Sequence, residues 1–339
     1  MKRSAYTGLF IIFLTTDMKT FKLLFICACA ALVAACSAAP VGTEVQEGPY
    51  TITTIAENVY HLQDCNDANP SGEEFDENGE LTHFNNCSDI YLLVGKEKAL
   101  IIDLSNFVKW DTTAVASLQN IVAERIGKLP LEITFTHNHG DHTGMLPAFV
   151  DNPNVKFMLP KVDFERTAER YPSRELYEEG YEFDLGGMKV ATLMVPGHTS
   201  GSMVFFLEGQ NLLFSGDAIG SGHGVWIFSL EAFKEYVDGV DHLVKYIENE
   251  DNGINKDALK MYGGHYWQKD WYPELNGGEF GMTYIYDMQR LIDQIAAGNA
   301  RMEPSGIDRP VLDTYFKNGQ ATIAWNAQLA EDWRNSLGE

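Results

Sequence analysis

Thr134–Gly144 reads Thr-Phe-Thr-His-Asn-His-Gly-Asp-His-Thr-Gly and places His137, His139, Asp141 and His142 within six positions, directly after the apolar run Leu131–Phe135. The whole chain of 339 residues has only nine histidines, so three of them in one short loop form a constellation. In an extended or tightly turning segment His137 and His139 point to one side, and a turn at Gly140 swings Asp141 and His142 toward a second nearby point. Neutral imidazoles and a carboxylate gathered this closely suit zinc or iron, and an open coordination position would give such a metal chemistry to do.

The N-terminal stretch is set aside before fold reasoning. Met18–Cys36 carries Lys19 and Lys22, an apolar run from Leu23, and small residues leading to Cys36. That pattern is a secretory signal covering residues 1–35, with Met18 the preferred start because the signal is complete from there. Val33-Ala34-Ala35-Cys36 resembles the bacterial lipoprotein signal, which implies cleavage before Cys36, a lipid on that cysteine, and a lipid-anchored place in the cell envelope. Removing residues 1–35 takes the formal charge from −23 to −26, a field that repels nucleic-acid backbones and anionic membranes. The lipid is then the expected membrane tether. No protein partner is evident, and a small molecule is the expected substrate. Residues 36–48 read as a linker and residues 49–330 as one large α/β domain. Cys65 and Cys87 bracket an acidic loop rich in Asn and Gly. A bridge there would contribute roughly 3 kcal/mol outside the cytoplasm, the alternative being two separate buried thiols.

Hydrophobic patterning predicts strands over Tyr50–Ile55, Val59–Leu62, Ile90–Val94, Ala99–Ile102, Leu131–Phe135, Asn154–Leu159, Tyr181–Leu185, Met188–Val195, Ser202–Leu207, Asn211–Ser215, Leu259–Tyr262, Leu312–Phe316 and Ala321–Trp325. Helices are expected over Ala114–Ile126, Leu230–Ile247 and Met282–Ile295, together with a charged helix over Phe164–Glu178 kinked at Pro172. Asn318-Gly319 marks a hairpin. Strand-rich and helix-rich stretches recur in both halves, which suggests two sheets covered by helices.

Five landmarks follow in order: Asp103 after an early strand, His137-Asn138-His139-Gly140-Asp141-His142, Gly197-His198-Thr199-Ser200-Gly201, Gly216-Asp217, and Gly264-His265. On these the chain resembles the metallo-β-lactamase-fold metallo-hydrolases over roughly Tyr50–His265. The resemblance implies a four-layer αββα sandwich with two Zn²⁺ per chain, iron or manganese being the substitutes. By position, His137, His139 and His198 resemble the ligands of one metal. Asp141, His142 and His265 resemble those of the other, with Asp217 bridging. Asp103 resembles the buried aspartate that orients the histidine loop, and Asp141 doubles as the group that orients the nucleophile or relays its proton.

The implied reaction is hydrolysis by hydroxide held between two metals. Aspartate at position 217 looks more like glyoxalase II, the lactonases and the phosphodiester hydrolases than the β-lactamases proper. The exported location and the lack of an evident basic cluster count against glyoxalase II itself. The expectation is cleavage of a carboxylic ester, lactone or related acyl bond. The alternatives are a β-lactamase, a phosphodiester hydrolase, or a non-catalytic metal- or ligand-binding lipoprotein. Candidate substrate contacts are His223, Trp226 and Phe228 after Asp217, and Tyr266 and Trp267 after His265, which would bring rigid apolar surface to the metals.

Overall fold

Strands Ile90–Val94 and Ala99–Ile102 are buried on both faces, and their alternation decides which layer each face meets. Ile90, Leu92, Ala99 and Ile101 point into one apolar cluster, whereas Tyr91, Leu93, Leu100 and Ile102 point into another. A sheet apolar on both sides needs a cover on each. The computed structural model describes residues 39–64, 72–75, 81–85, 87–220, 224–271 and 280–338. It supplies both covers.

The first sheet has eight strands in the order β1 (Glu44–Glu47), β2 (Tyr50–Ala56), β3 (Val59–Gln63), β6 (Ile90–Val94), β7 (Ala99–Ile102), β8 (Leu131–Thr134), β9 (Val155–Pro160) and β10 (Arg174–Tyr177). Between β3 and β6, β4 (Gly72–Phe75) and β5 (Leu81–Asn85) pair as a separate hairpin. The second sheet runs β11 (Glu182–Asp184), β12 (Lys189–Met194), β13 (Met203–Leu207), β14 (Leu212–Gly216) and β16 (Lys260–Gly263). Helix α1 (Ala114–Ile126) lays Leu118, Ile121 and Val122 on the outer face of the first sheet. Two longer helices cover the second sheet: α4 (Leu230–Glu248), through Phe233, Tyr236, Val240 and Leu243, and α5 (Met282–Ala297), through Ile285, Met288 and Leu291. Phe183, Val190, Phe205 and Phe214 from the second sheet meet Leu93, Leu100 and Ile102 from the first. The result is the αββα sandwich. Short α2 (Gly140–Thr143) and α3 (Lys161–Phe164) complete its first half.

A third sheet closes one end: β15 (Val225–Trp226), β19 (Ala321–Trp325), β18 (Thr314–Asn318) and β17 (Arg301–Pro304), followed by α6 (Ala327–Ser336). The Asn318-Gly319 hairpin forms as expected, with Asn318 paired to Ala321 and Gly319 at φ 55°. Glu44–Glu47, in the segment expected as linker, pairs antiparallel with β2, and α6 runs past residue 330.

The expected helix over Phe164–Glu178 does not form. Phe164 ends α3, Ala168–Arg170 is a single 3₁₀ turn, and Arg174–Tyr177 is an edge strand parallel to β9. Ser173 at φ 49° and Pro172 break any helix there. The charges that suggested a solvated helix face belong instead to an exposed sheet edge, where Lys156 and Glu175 pair across strands at 2.5 Å. Among the described residues no helix is long and apolar enough to cross a membrane.

Trp325 is fully buried and stacks on Phe233 of α4 at 4.0 Å between centroids, while Trp333 of α6 meets the same ring edge-on at 4.8 Å. Trp325→Ala should therefore lower unfolding stability by about 3–5 kcal/mol in urea denaturation. A loss below about 1 kcal/mol would show that the third sheet is packed on the sandwich by other contacts.

Candidate metal centre

Every landmark residue sits at or beyond the C-terminal end of a strand, where backbone polar groups run out of ladder partners. Strands β7 and β8 are parallel, with Ile102 opposite Thr134, so Asp103 emerges beside the histidine loop. Strands β14 and β16 are likewise parallel, with Gly216 opposite Gly263, so Asp217 and His265 emerge side by side. The Met203 amide donates to the Thr136 carbonyl at 2.8 Å, and the Asp89 amide to the Gly264 carbonyl at 2.9 Å, joining the two sheets at this end.

The loops converge to give two groups of donors, His137 with His139 and His198, and Asp141 with His142, Asp217 and His265; within each group the ligand atoms lie within 4.8 Å of one another. Asp217 stands between the groups. Its Oδ1 is 3.5 Å from His142 Nε2, and its Oδ2 is 3.4 Å from His265 Nε2 and 3.6 Å from His198 Nε2. Asp141 Oδ2 lies 3.6 Å from His265 Nε2, and its side chain keeps more solvent contact than that of Asp217. This is a binuclear metal-binding arrangement.

Hydrogen bonds behind the rings fix which nitrogen faces the centre. Asp103 Oδ1 accepts from the Thr136 amide at 2.7 Å; its Oδ2 accepts from Thr136 Oγ1 at 2.7 Å and from His142 Nδ1 at 2.9 Å. The Thr136 hydroxyl proton is thereby committed to Asp103, so the 3.0 Å contact with His137 Nδ1 has the imidazole donating. His198 Nδ1 donates to the Trp226 carbonyl at 3.0 Å, and His265 Nδ1 to the Cys87 carbonyl at 2.9 Å. All four rings therefore turn Nε2 inward, as partners behind metal-binding histidines do. His137 Nε2 is buried without a hydrogen-bond partner, a costly state unless a cation takes up its lone pair. His139 Nδ1 faces His198 Nε2 at 3.0 Å, a meeting of two ring nitrogens that a shared cation would also resolve. The residues present fit two divalent cations held by nitrogen and oxygen.

Without metal, the two groups hold protons differently. Burial pushes His137 well below the usual histidine range, and the neighbouring His142 and His198 add to it. Burial likewise lowers His139, and takes His198 to about 4. For His142 and His265 burial acts the same way but is outweighed. Asp217 and Asp103 hold His142 well above its usual value, and Asp217 raises His265 to about 9. Burial would raise Asp217 in turn, yet the charges of His265 and His142 carry it well below the usual carboxylate range.

Backbone geometry is tight throughout. Asp103 and Ser105 hold φ of 62° and 52°, uncommon for residues with a side chain and concentrated here beside the histidine loop. A Cβ at Gly264 would lie 2.4 Å from Asp217 Oδ1 and 2.6 Å from His142 Cε1, so only glycine lets this strand end approach the centre.

Of the expected substrate contacts, Phe228 lies with its ring 5.8 Å from His198 and 6.3 Å from His139, and Trp226 follows at 6.4 Å from Phe228. Trp267 Nε1 donates to the Cys87 carbonyl at 3.0 Å, sharing the acceptor that orients His265. Tyr266 turns into the core between the sheets and packs against His61 and Tyr262. His223, Cys36 and Cys65 lie outside the described residues, and Cys87 is buried.

Asp163 went unread in the sequence. Its carboxylate accepts from Thr199 Oγ1 at 2.7 Å, the Gly201 amide at 2.9 Å and the Asn138 amide at 3.2 Å, tying the His137–His142 loop to the His198 loop. Burial pushes this carboxyl up, against those three donors. Asp89 does the same for His265: it accepts from His61 Nε2 at 2.9 Å and from the Tyr266 amide at 2.5 Å. Neither aspartate lies in a recognisable motif, and only the closure of the fold brings them to the site.

Residues 88–271, more than half of the chain, match the Metallo-beta-lactamase superfamily, and the chain belongs to that family. Among curated relatives, it is 26% identical over 179 residues to the Beta-lactamase-like protein 2 homolog of Caenorhabditis elegans, covering 52% of this chain and 55% of that protein. It is 31% identical over 131 residues to an Atrochrysone carboxyl ACP thioesterase of Aspergillus chevalieri, covering 38% and 39% respectively. The chain thus spans about half or less of the length of these relatives. Among solved structures, a metallo-beta-lactamase from Pontibacter korlensis superposes with a TM-score of 0.50 at 17% identity, over 72% of this chain and 99% of that one. A metallo-beta-lactamase from Erythrobacter litoralis gives 0.50 at 16% identity, over 74% and 100%. Both likenesses are of fold.

The proton pattern predicts unequal metal uptake. The group of His137, His139 and His198 is neutral at pH 7, so its first equivalent of zinc should bind with little proton release between pH 6 and 8. Asp217 raises His265 to about 9 and, with Asp103, holds His142 well above its usual value, so the second equivalent must displace protons from both rings and should bind more tightly as pH rises. Calorimetry in two buffers of different ionisation enthalpy measures this. Equal proton release for both equivalents would contradict it.

Proposed function

We propose that the protein is a binuclear zinc hydrolase that cleaves a carboxylic ester, lactone or related acyl bond. The observation that carries this reading is Asp217, a carboxylate whose Oδ2 faces a donor of each group, His198 at 3.6 Å and His265 at 3.4 Å. In the proposed assignment His137, His139 and His198 hold one cation, and Asp141, His142 and His265 the other. Asp217 would offset the repulsion between them. When bound, such cations act as Lewis acids and bring water toward ionisation near neutral pH.

The chain's own groups do the rest. Asp141, the more exposed carboxylate of the set, is placed to take a proton from the attacking water at Oδ2 and pass it to the departing oxygen, sulfur or nitrogen. Asp103, through Thr136 and His142, keeps the donor rings fixed while charge shifts in front of them. Phe228 and Trp226 form an aromatic wall that seats an acyl chain and limits water on that side. The likeness to an Atrochrysone carboxyl ACP thioesterase of Aspergillus chevalieri supports acyl transfer to water as the reaction class.

A screen of the zinc-loaded protein against carboxylic esters, lactones, thioesters, β-lactams and phosphodiesters should find turnover in the first three classes. Turnover confined to β-lactams or phosphodiesters would replace the reading, and binding without turnover would make the protein a ligand-binding lipoprotein. Asp217→Ala should empty the second group first and lower the rate by several powers of ten. Two zinc ions retained at an unchanged rate would remove Asp217 from the role.

The envelope location and the Cys65–Cys87 bridge rest on the sequence. Intact mass of the native protein should show a chain beginning at a lipidated Cys36, and alkylation of the unfolded but unreduced protein should leave both Cys65 and Cys87 unlabelled. A different first residue, or two labelled thiols, would withdraw the corresponding proposal.

A further inference from the structure

The aromatic wall of the site ends in a cation. Trp226 is tied to the centre through its backbone, since its carbonyl accepts from His198 Nδ1. Its ring meets that of Phe228 edge-on and carries the guanidinium of Arg309, whose Cζ lies 5.6 Å from the ring centroid. The two residues are 83 positions apart, and the third sheet brings them together. Strand β15 pairs parallel with β19, Val225 opposite Ile323 and Trp226 opposite Ala324, and the Ile227 amide donates to the Ala324 carbonyl at 3.0 Å. Asn326, just past β19, donates from Nδ2 to the Pro310 carbonyl at 2.9 Å and to Asp313 Oδ2 at 2.8 Å. The Leu312 amide closes the turn onto the Arg309 carbonyl at 2.8 Å. The backbones of Trp226 and Arg309 are therefore both fixed to one sheet.

Arg309 differs from the arginines that are held in ion pairs. Arg125, Arg290, Arg301 and Arg334 each pair with a carboxylate, as 48 acidic against 25 basic residues make easy. Arg309 is exposed, neighbours Asp308, and among the described residues makes no ion pair. A guanidinium on an aromatic face is weakly hydrated and keeps its planar donor fork open to a carboxylate or phosphate. The overall field of this acidic protein repels anions, so an anionic substrate needs a local cation to hold it.

We propose that Arg309 is a specificity-determining residue that binds a carboxylate at the far end of the acyl substrate. The scissile bond lies at the histidines and the apolar middle along Phe228 and Trp226. This rests on the proposed acyl-bond hydrolysis for its kinetic consequence but not for its binding consequence.

The kinetic arm uses zinc-loaded wild type, Arg309→Gln and Arg309→Lys with three phenyl esters of equal length, ending in carboxylate, neutral carboxamide or phosphonate. Wild type should favour the carboxylate over the carboxamide in kcat/KM through KM. Arg309→Gln should reduce that ratio about tenfold or more, the loss expected for a hydrogen bond to a charged group, and Arg309→Lys should restore part of it. The binding arm measures glutarate by calorimetry on the same proteins, with binding to Arg309→Gln about tenfold weaker. If wild type cleaves no ester, the hydrolase reading fails, and the glutarate difference alone then decides the Arg309 assignment. An unchanged ratio with unchanged glutarate affinity overturns the proposal. A preference for phosphonate over carboxylate that Arg309→Gln abolishes overturns the carboxylate assignment in favour of a phosphate-bearing ligand.

Discussion

Asp103 is buried, and both of its oxygens must find donors inside the protein or leave a charge stranded. They find them in the histidine loop: the Thr136 amide and hydroxyl, and His142 Nδ1. The rest of the centre depends on that solution. It commits the Thr136 hydroxyl, which sets the tautomer of His137, and it sets His142 directly. It also accounts for the positive φ of Asp103, because a carboxylate at the end of β7 can reach across to β8 only if the chain turns sharply there. A Cβ at Gly216 would lie 2.3 Å from Thr136 Oγ1, so the loop bearing Asp217 packs directly on the same threonine.

The orienting acceptors come from four places in the chain. Asp103 follows β7, the Cys87 carbonyl precedes β6, the Trp226 carbonyl lies in β15, and Asp163 sits on α3. Two are carboxylates and two are backbone carbonyls. The carboxylate behind His142 adds negative charge, which with Asp217 keeps that ring protonated in the absence of metal. The carbonyl behind His198 adds none, and burial takes that ring to about 4. One fold thus builds two unlike halves from the same imidazole.

Much of this was legible in the sequence because its signals are local. The alternation of Ile90–Val94 and Ala99–Ile102, the 3.6-residue pattern of Ala114–Ile126 and the Asn318-Gly319 turn each encode their element within a few residues. The seven donors were legible because each sits in a short motif. Phe164–Glu178 was misread because an exposed edge strand and a solvated helix face both present charge, and the deciding feature, Ser173 at φ 49°, is not visible in its side chain. Asp163, Asp89 and the Cys87 carbonyl carry no motif; backbone carbonyls in particular have no residue identity to read. The pairing of Trp226 with Arg309 depends on a strand of two residues, too short for any period to register.

The parallel pairing of β15 with β19 has a consequence for how the protein comes into being. All seven donors are made by residue 265, yet the strand that backs Trp226, and through it His198, begins at Ala321. A growing chain therefore carries all seven of these side chains well before the strand behind His198 exists. Contacts of such long sequence separation are closed late and slowly. The acceptor that orients His198 is thus secured only once β19 has docked.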